Sequence, residues 1–373
     1  MRIAHVSTLP DMRCGIAVYA SDLIEALPGH DHRRFALHYG QNLTPDTAGD
    51  CNVRDFRAVA ALAESINASG AEVVCLQHEF GIWGGLNGPH LFDFLDALDR
   101  PVVSTIHTTF ARGAWPAIRL HGLRTLIGRS GTTFVLSESS RRTLCEALAI
   151  PTSRIGVLPH GVPAVGLAPP APLTDEAGTQ RWRFCSLGFF RPDKGLDVIL
   201  EALAALRRDG VRFRYVIAGE AQQQFDGQGD YRDRIVARIE QLGLDRRVKL
   251  VPRFLSRDEQ MALIGRSHAG LFAYQNPAHA SSGPMPMVLA AGTPVVCTPF
   301  EFACDKAAAG PGVILAQGFA AADFEAALRR LISTAEDLPG LGEDLYRRTR
   351  DWTWPKVGAR YDAALRSAAA PAP

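Results

Sequence analysis

Several signals that would settle a protein's class are missing from this chain. There is no Cys-x-x-Cys pair, and the seven cysteines are scattered and odd in number. That argues against a disulfide framework and a zinc site, and fits a reducing, cytoplasmic compartment. There is almost no net charge: 40 Lys and Arg against 39 Asp and Glu give a formal +1. No global field therefore points to nucleic acid. No apolar run reaches signal-peptide or membrane-spanning length, and Met1-Arg2-Ile3-Ala4-His5-Val6 enters a strand at once. An integral anchor is not expected, whereas peripheral attachment at the inner face of a membrane stays open. The three-glycine dinucleotide fingerprint does not follow the first strand, which argues against a nicotinamide or flavin cofactor. His78-Glu79 has no second His four residues on, so it is not a metalloprotease helix.

What is present describes a soluble globular chain of 373 residues, 47% hydrophobic and 21% charged. That length implies two domains. Strand-like runs at Ile3–Val6, Phe35–Tyr39, Val73–Leu76, Val102–Ile106, Thr132–Leu136 and Ile155–Leu158 alternate with helical spacing. The helices are expected over Ile16–Leu27, Val53–Ile66, Leu91–Leu98, Ile118–Ile127 and Ser139–Leu148. Residues 164–180 break the pattern with Pro169, Pro170 and Pro172 just after Pro163, and read as a linker. The alternation restarts with strands at Trp182–Leu187, Phe213–Ala218, Val248–Val251, Gly270–Ala273, Pro294–Cys297 and Val313–Leu315. The tail from Tyr346 to Ala368 reads as helical with a break at Trp354-Pro355. Continuous apolar strands alternating with helices predict parallel sheets covered on both faces. The fold class is thus α/β, with two doubly wound domains over 1–163 and 181–350 facing a cleft.

Ligands of such sheets bind at the carboxyl ends of the strands. In the second half, Gly188-Phe189-Phe190-Arg191-Pro192-Asp193-Lys194-Gly195 follows a strand and opens a helix. Gly188, Arg191 and Lys194 suit a phosphate or diphosphate; a surface turn with solvated charges is the other reading. Ser282-Gly283, at the start of a later helix, offers hydroxyl and amide groups as a second anion cradle. In the first half, Gly15 opens a helix beside Arg13 and allows close ligand approach. His78, Glu79 and Trp83 in Gln77-His78-Glu79-Phe80-Gly81-Ile82-Trp83-Gly84-Gly85 suit a sugar, with a ring for stacking and polar groups for hydroxyls. His107 at a strand end could bond a substrate oxygen or transfer a proton near neutrality. His160 suits a structural or hinge role. The helix at 117–130 carries Arg119, His121, Arg124 and Arg129, and no acid lies between Asp99 and Glu138. That face could meet an anionic membrane or simply be solvated.

Taken together, these motifs resemble those of the retaining glycosyltransferases of family 4, which have the GT-B fold. The resemblance rests on Arg-Cys-Gly-Ile-Ala at 13–17, Gln-His-Glu-Phe-Gly-Ile at 77–82, Thr-Ile-His-Thr at 105–108 and Pro-His-Gly-Val at 159–162. In the second half it rests on the 188–195 turn, Ala218-Gly219-Glu220, Ser282-Gly283 and Ala290-Ala291-Gly292-Thr293-Pro294-Val295-Val296. It implies that Arg191 and Lys194 bind the donor diphosphate, with Gly15, Ser282 and Gly283 approaching it. His107 would lie by the transferred sugar and Glu220 near the nucleotide. It further implies a UDP- or GDP-sugar donor, a glycan or other hydroxyl acceptor, no metal and no cofactor. Residues 351–373 would cross back onto the first domain. The chain departs from the family at one point. Where two glutamates eight positions apart are common, it has His279 and Met287; Asp305 is an acid nearby. The implied function is hexosyl transfer with retention, in polysaccharide or glycoconjugate synthesis. A sugar phosphorylase, a nucleotide-sugar epimerase or a non-catalytic nucleotide-sugar-binding homologue are the alternatives.

Overall fold

A computed structural model describes the chain except residues 13, 41–46, 110–114, 168–171, 175–177, 221–228 and 371–373, and the side chains of 11, 229 and 230. The chain divides into two compact units, Met1–Gly161 with Trp352–Pro373, and Val162–Asp351.

The first unit is built on β1 (Arg2–Ser7), β2 (Asp31–His38), β3 (Gly49–Asn52), β4 (Val73–His78), β5 (Val102–Ile106), β6 (Ser130–Val135) and β7 (Gly156–Val157). They form one sheet in the order β3-β2-β1-β4-β5-β6-β7, paired in parallel throughout. Ile3 pairs with both His32 and Val73, so β1 is central and the chain reverses direction between β1 and β4. Helices α1 (Gly15–Glu25), α2 (Phe56–Ala68), α3 (His90–Ala97), α4 (Ala117–Arg129) and α5 (Glu138–Leu148) bury one stripe each. In α2 the buried stripe is Val59, Leu62, Ala63 and Ile66, the helical spacing of an amphipathic face.

The second unit repeats the plan with β8 (Trp182–Leu187), β9 (Phe213–Ala218), β10 (Val248–Val251), β11 (Ala269–Phe272), β12 (Val295–Cys297) and β13 (Val313–Leu315). Their order is β10-β9-β8-β11-β12-β13, again parallel, with the reversal between β8 and β11. Helix α6 (Leu196–Arg208) buries Leu196, Ile199, Leu200, Leu203 and Leu206 against this sheet. Further on come α7 (Gly229–Gln241), α8 (Arg257–Gly265), α9 (Pro284–Ala290), α10 (Glu301–Ala308), α11 (Ala321–Ser333) and α12 (Leu338–Arg348).

Two features differ from the sequence expectation, and one agrees with it. The stretch expected as a linker is tied to the second unit. Leu173 O accepts from Arg181 N at 2.7 Å, Thr174 bridges Gln180, and Val165 O accepts from Arg350 Nη1 at 3.0 Å. Residues 168–171 and 175–177 of this stretch lie outside the described residues. The break expected at Trp354-Pro355 is present: α12 ends at Arg348, and after a 3-10 turn at Arg350–Trp352 a new helix, α13 (Trp354–Ala369), begins, with Pro355 in its first turn, where its missing N–H has no intrahelical partner to lose. Finally, β3 and α10 were not anticipated. Each buries only one or two residues, too few for a legible period.

Helix α13 packs on α1, β4, β5 and β6 of the first unit. Tyr361 is fully buried, its hydroxyl 2.9 Å from Thr105 Oγ1 and its ring 5.2 Å from that of Phe134.

Candidate functional site

In the second unit, the two strands flanking the chain reversal, β8 and β11, feed the loops that matter. The β8 loop makes one 3-10 turn, Pro192–Lys194, and enters α6 through Gly195. Gly195 has φ +61°, and a Cβ there would lie 2.0 Å from Ala273 O. Only glycine lets this turn lie directly against the β11 loop. Gln275 N completes the junction by donating to Asp193 O at 2.8 Å.

This contact sets the surroundings of the two expected cations. Arg191 Nε donates to Asp193 Oδ1 at 2.8 Å. Lys194 Nζ lies 3.7 Å from the Tyr274 ring centroid, 3.5 Å from His279 Nε2 and 4.0 Å from Asp193 Oδ2. Burial, with Arg191 adding and Asp193 opposing, pulls the Lys194 pKa down to about 8. Burial, then Lys194, holds the His279 imidazole down to about 3, so that ring is neutral. A small concavity here is lined by Ser186, Gly188, Phe190, Lys194, Phe272 and Tyr274. Glu220 borders the same turn, its carbonyl accepting from Phe190 N at 2.9 Å.

Ser282 joins this cluster through Tyr274, whose hydroxyl is 3.2 Å from Ser282 Oγ. The expected anion cradle at the start of α9 is narrower than the sequence suggested. Pro284 and Pro286 have no N–H, and Met285 N donates to Ser282 Oγ at 3.3 Å. What remains is the amides of Ser282 and Gly283 themselves. Met287 is a partly buried residue of α9. Asp305 is held by Lys306 at 3.3 Å, both side chains about nine-tenths covered.

In the first unit, the loops after β1 and β4 also flank the chain reversal. Gly15 starts α1 behind Cys14, whose Sγ accepts from Ala17 N at 3.4 Å. A Cβ on Gly15 would meet no atom within 4 Å, so the backbone there is open. Arg13 lies outside the described residues. His107 is buried, donating from Nε2 to Gln77 Oε1 at 2.8 Å with its ring edge-on to Tyr19 at 4.8 Å. Burial holds its pKa down to about 3. The expectation of proton exchange near neutrality is therefore corrected: His107 is a neutral hydrogen-bonding group.

The sugar-stacking expectation is also corrected. Trp83 is wholly buried, 5.1 Å from the Phe94 ring, and belongs to the core. His78 is buried edge-on to Phe80 at 4.8 Å, and burial holds its pKa down to about 3. Glu79 Oε2 caps the following turn, accepting from Gly81 N at 2.6 Å. None of the three presents an open face for a sugar ring. His160 is structural, buried 5.2 Å from the Tyr19 ring with Nδ1 2.8 Å from Gly161 O. Two cations of α4 are fastened inward: Arg124 donates to Leu148 O at 2.9 Å and Arg129 to Leu98 O. Arg119 lies over the Phe80 ring at 4.9 Å. Among the described residues no helix is long and apolar enough to cross a membrane, and no three His, Cys, Asp or Glu are grouped to hold a metal ion.

Sequence reasoning missed Tyr274 as a site residue, although it stands two positions past β11, where the strand-end rule applies.

Residues 14–164 match the model of glycosyltransferase family 4, and residues 175–350 match that of glycosyl transferases group 1. The D-inositol 3-phosphate glycosyltransferase of Segniliparus rotundus is 28% identical, across 74% of this chain and 63% of that protein. The chain thus spans under two thirds of that relative's length. The Anabaena protein HepE, crystallised with UDP and glucose, superposes with a TM-score of 0.75 at 14% identity, covering 98% of this chain and 100% of that one. Sucrose-phosphate synthase from Thermosynechococcus elongatus gives 0.72 at 14% identity, covering 98% of each. By its two parallel sheets and these neighbours, the chain has the GT-B fold. Each half of the chain thus matches one of two glycosyltransferase domain models.

Proposed function

We propose that this chain transfers a hexose from a nucleoside diphosphate sugar to a hydroxyl acceptor, with retention of configuration. The observation that carries the reading is the pair Arg191 and Lys194 on the loop after β8, braced by the loop after β11 at the chain reversal. A diphosphate leaving group gathers negative charge as the glycosidic bond breaks. Fixed cations in a partly desolvated turn stabilise that charge more strongly than water would. The neutral His107 would bond a sugar or acceptor oxygen without competing for a proton. Retention, and a place in polysaccharide or glycoconjugate synthesis in the cytoplasm, rest on the motif resemblance. UDP-sugars are the first donors to try, because HepE was crystallised with UDP and UDP-glucose; GDP-sugars come next.

A thermal-shift screen with UDP-, GDP-, ADP- and dTDP-sugars tests the donor. A ligand that binds the folded state raises the midpoint with its occupancy. Proton NMR of the product's anomeric centre then tests retention. Failure of every donor to shift the midpoint would remove the reading. Binding without turnover over a broad acceptor panel would reduce the chain to a nucleotide-sugar-binding protein. His107→Ala should lower kcat more than donor affinity; the reverse would assign His107 to donor binding.

A further inference from the structure

The Lys194 ammonium has an unusual set of neighbours. Beside Asp193 it meets an aromatic face, Tyr274, and an uncharged imidazole, His279. The His279 backbone is fixed at both ends: its N donates to Asn276 O at 3.0 Å and its O accepts from Phe302 N at 3.2 Å. Its ring is packed edge-on to Tyr274 at 4.7 Å and to Phe300 at 6.0 Å. The imidazole is thus seated by packing, independently of the lysine. An ammonium has donors only, so the His279 Nε2 that faces it must be the acceptor. The ring hydrogen is then on Nδ1.

We propose that His279 is a positioning residue for the diphosphate site. Its neutral Nε2 takes one Lys194 N–H and holds the ammonium over Tyr274, so that the charge is fixed in place for phosphate. This rests on the reading of Lys194 as a phosphate ligand. The choice of imidazole has a physical reason. A carboxylate there would grip the lysine harder but would also repel an anionic ligand. A neutral acceptor orients the cation and leaves its field undiminished. The groups facing Lys194 are Arg191 and Asp193 on its own turn, and Tyr274 and His279 on the facing loop. Burial pushes the Tyr274 phenol up and the His279 ring down, so neither changes charge in mildly alkaline solution. Lys194, with its lowered pKa, does.

UDP binding measured by calorimetry between about pH 7.5 and 9.5 tests this, since the terminal phosphate is already ionised there. The unmodified protein should lose affinity as pH rises through the Lys194 pKa of about 8. His279→Phe removes the acceptor and should move that decline to lower pH by about one unit, costing about fivefold in affinity near pH 8. His279→Gln, which can accept again, should restore it. If the Phe variant does not fold, His279→Met serves. A variant that binds more weakly at every pH with an unmoved decline would overturn the proposal, leaving the ring a structural role. Undiminished UDP affinity in Lys194→Ala would instead overturn the donor-site reading beneath it.

Discussion

Replacing Lys194 by methionine should move stability and ligand affinity in opposite directions. The Lys194 side chain is 18% exposed, and burial takes its pKa from 10.5 to about 8. A folded-state value below the unfolded one means that the native chain binds this proton less tightly. The cost is therefore fully present below about pH 8 and fades as pH rises toward the unfolded value. It amounts to about 3 kcal/mol. Methionine removes that cost but also forfeits the cation–π contact with Tyr274, about 0.5–2 kcal/mol, and the bond to His279, about 0.5–1 kcal/mol. The net is a gain of about 1 kcal/mol near neutral pH, or about 2–4 °C in the midpoint of the second unit. The gain should vanish at about pH 9 and become a loss above it. Affinity for UDP should fall by about 1.5–3 kcal/mol, roughly 10- to 150-fold, the scale of one charge-assisted bond. Thermal melts at neutral and alkaline pH, with UDP calorimetry on the same variant, read both effects. A variant less stable at neutral pH and unaltered in UDP affinity would refute the reasoning on both counts.

Three further perturbations probe other parts of the structure. His5, His78 and His107 are buried with pKa values held down to about 3, so the unfolded chain takes up their protons first as pH falls through about 6.5. Each should cost the first unit about 2 kcal/mol by about pH 5; a midpoint that stays flat over that range would contradict their burial as neutral rings. Gly195→Ala sets a methyl group against Ala273 O at a positive φ. It should cost the second unit about 2 kcal/mol or more and weaken UDP binding with it; an unchanged melt would show that the two loops do not touch. Trp83→Ala should cost about 3–5 kcal/mol as a core truncation. Trp83→Phe should fold and keep its acceptor KM; a folded variant that loses acceptor affinity selectively would return Trp83 to the site.

Much of the fold could be read from the sequence because its strands are continuous apolar runs. Val73–His78 is buried along its whole length, and such a run between helical periods has few alternatives to a central parallel strand. What could not be read has a common cause in small burial. β3 is an edge strand with only Cys51 buried, and α10 buries only Phe302 and Ala303. Neither offers enough apolar residues to define a period. The ties made by the described residues after Pro163 were not legible for a different reason. Prolines mark an irregular backbone, but whether it is tied down depends on carbonyl partners such as Arg350, which is remote in sequence.

The site divides along the same physical line. Arg191 and Lys194 were legible because their turn is local: strand, glycine, proline and helix lie within one short stretch, and strand ends are where such sheets bind ligands. The strand-end rule locates a backbone, however, and not the direction of a side chain. Trp83 follows β4 as Lys194 follows β8, yet it turns into the core. Gly84 beside it serves to admit Val53 O, 1.8 Å from where its Cβ would stand. Charge state escapes the sequence still more completely. Lys194 reads as a solvated cation until Tyr274 and His279, some eighty residues on, are seen to cover it. That cover lowers the lysine's pKa and keeps the imidazole neutral. The working properties of this turn thus come from a loop that sequence pattern alone could place beside it but could not orient.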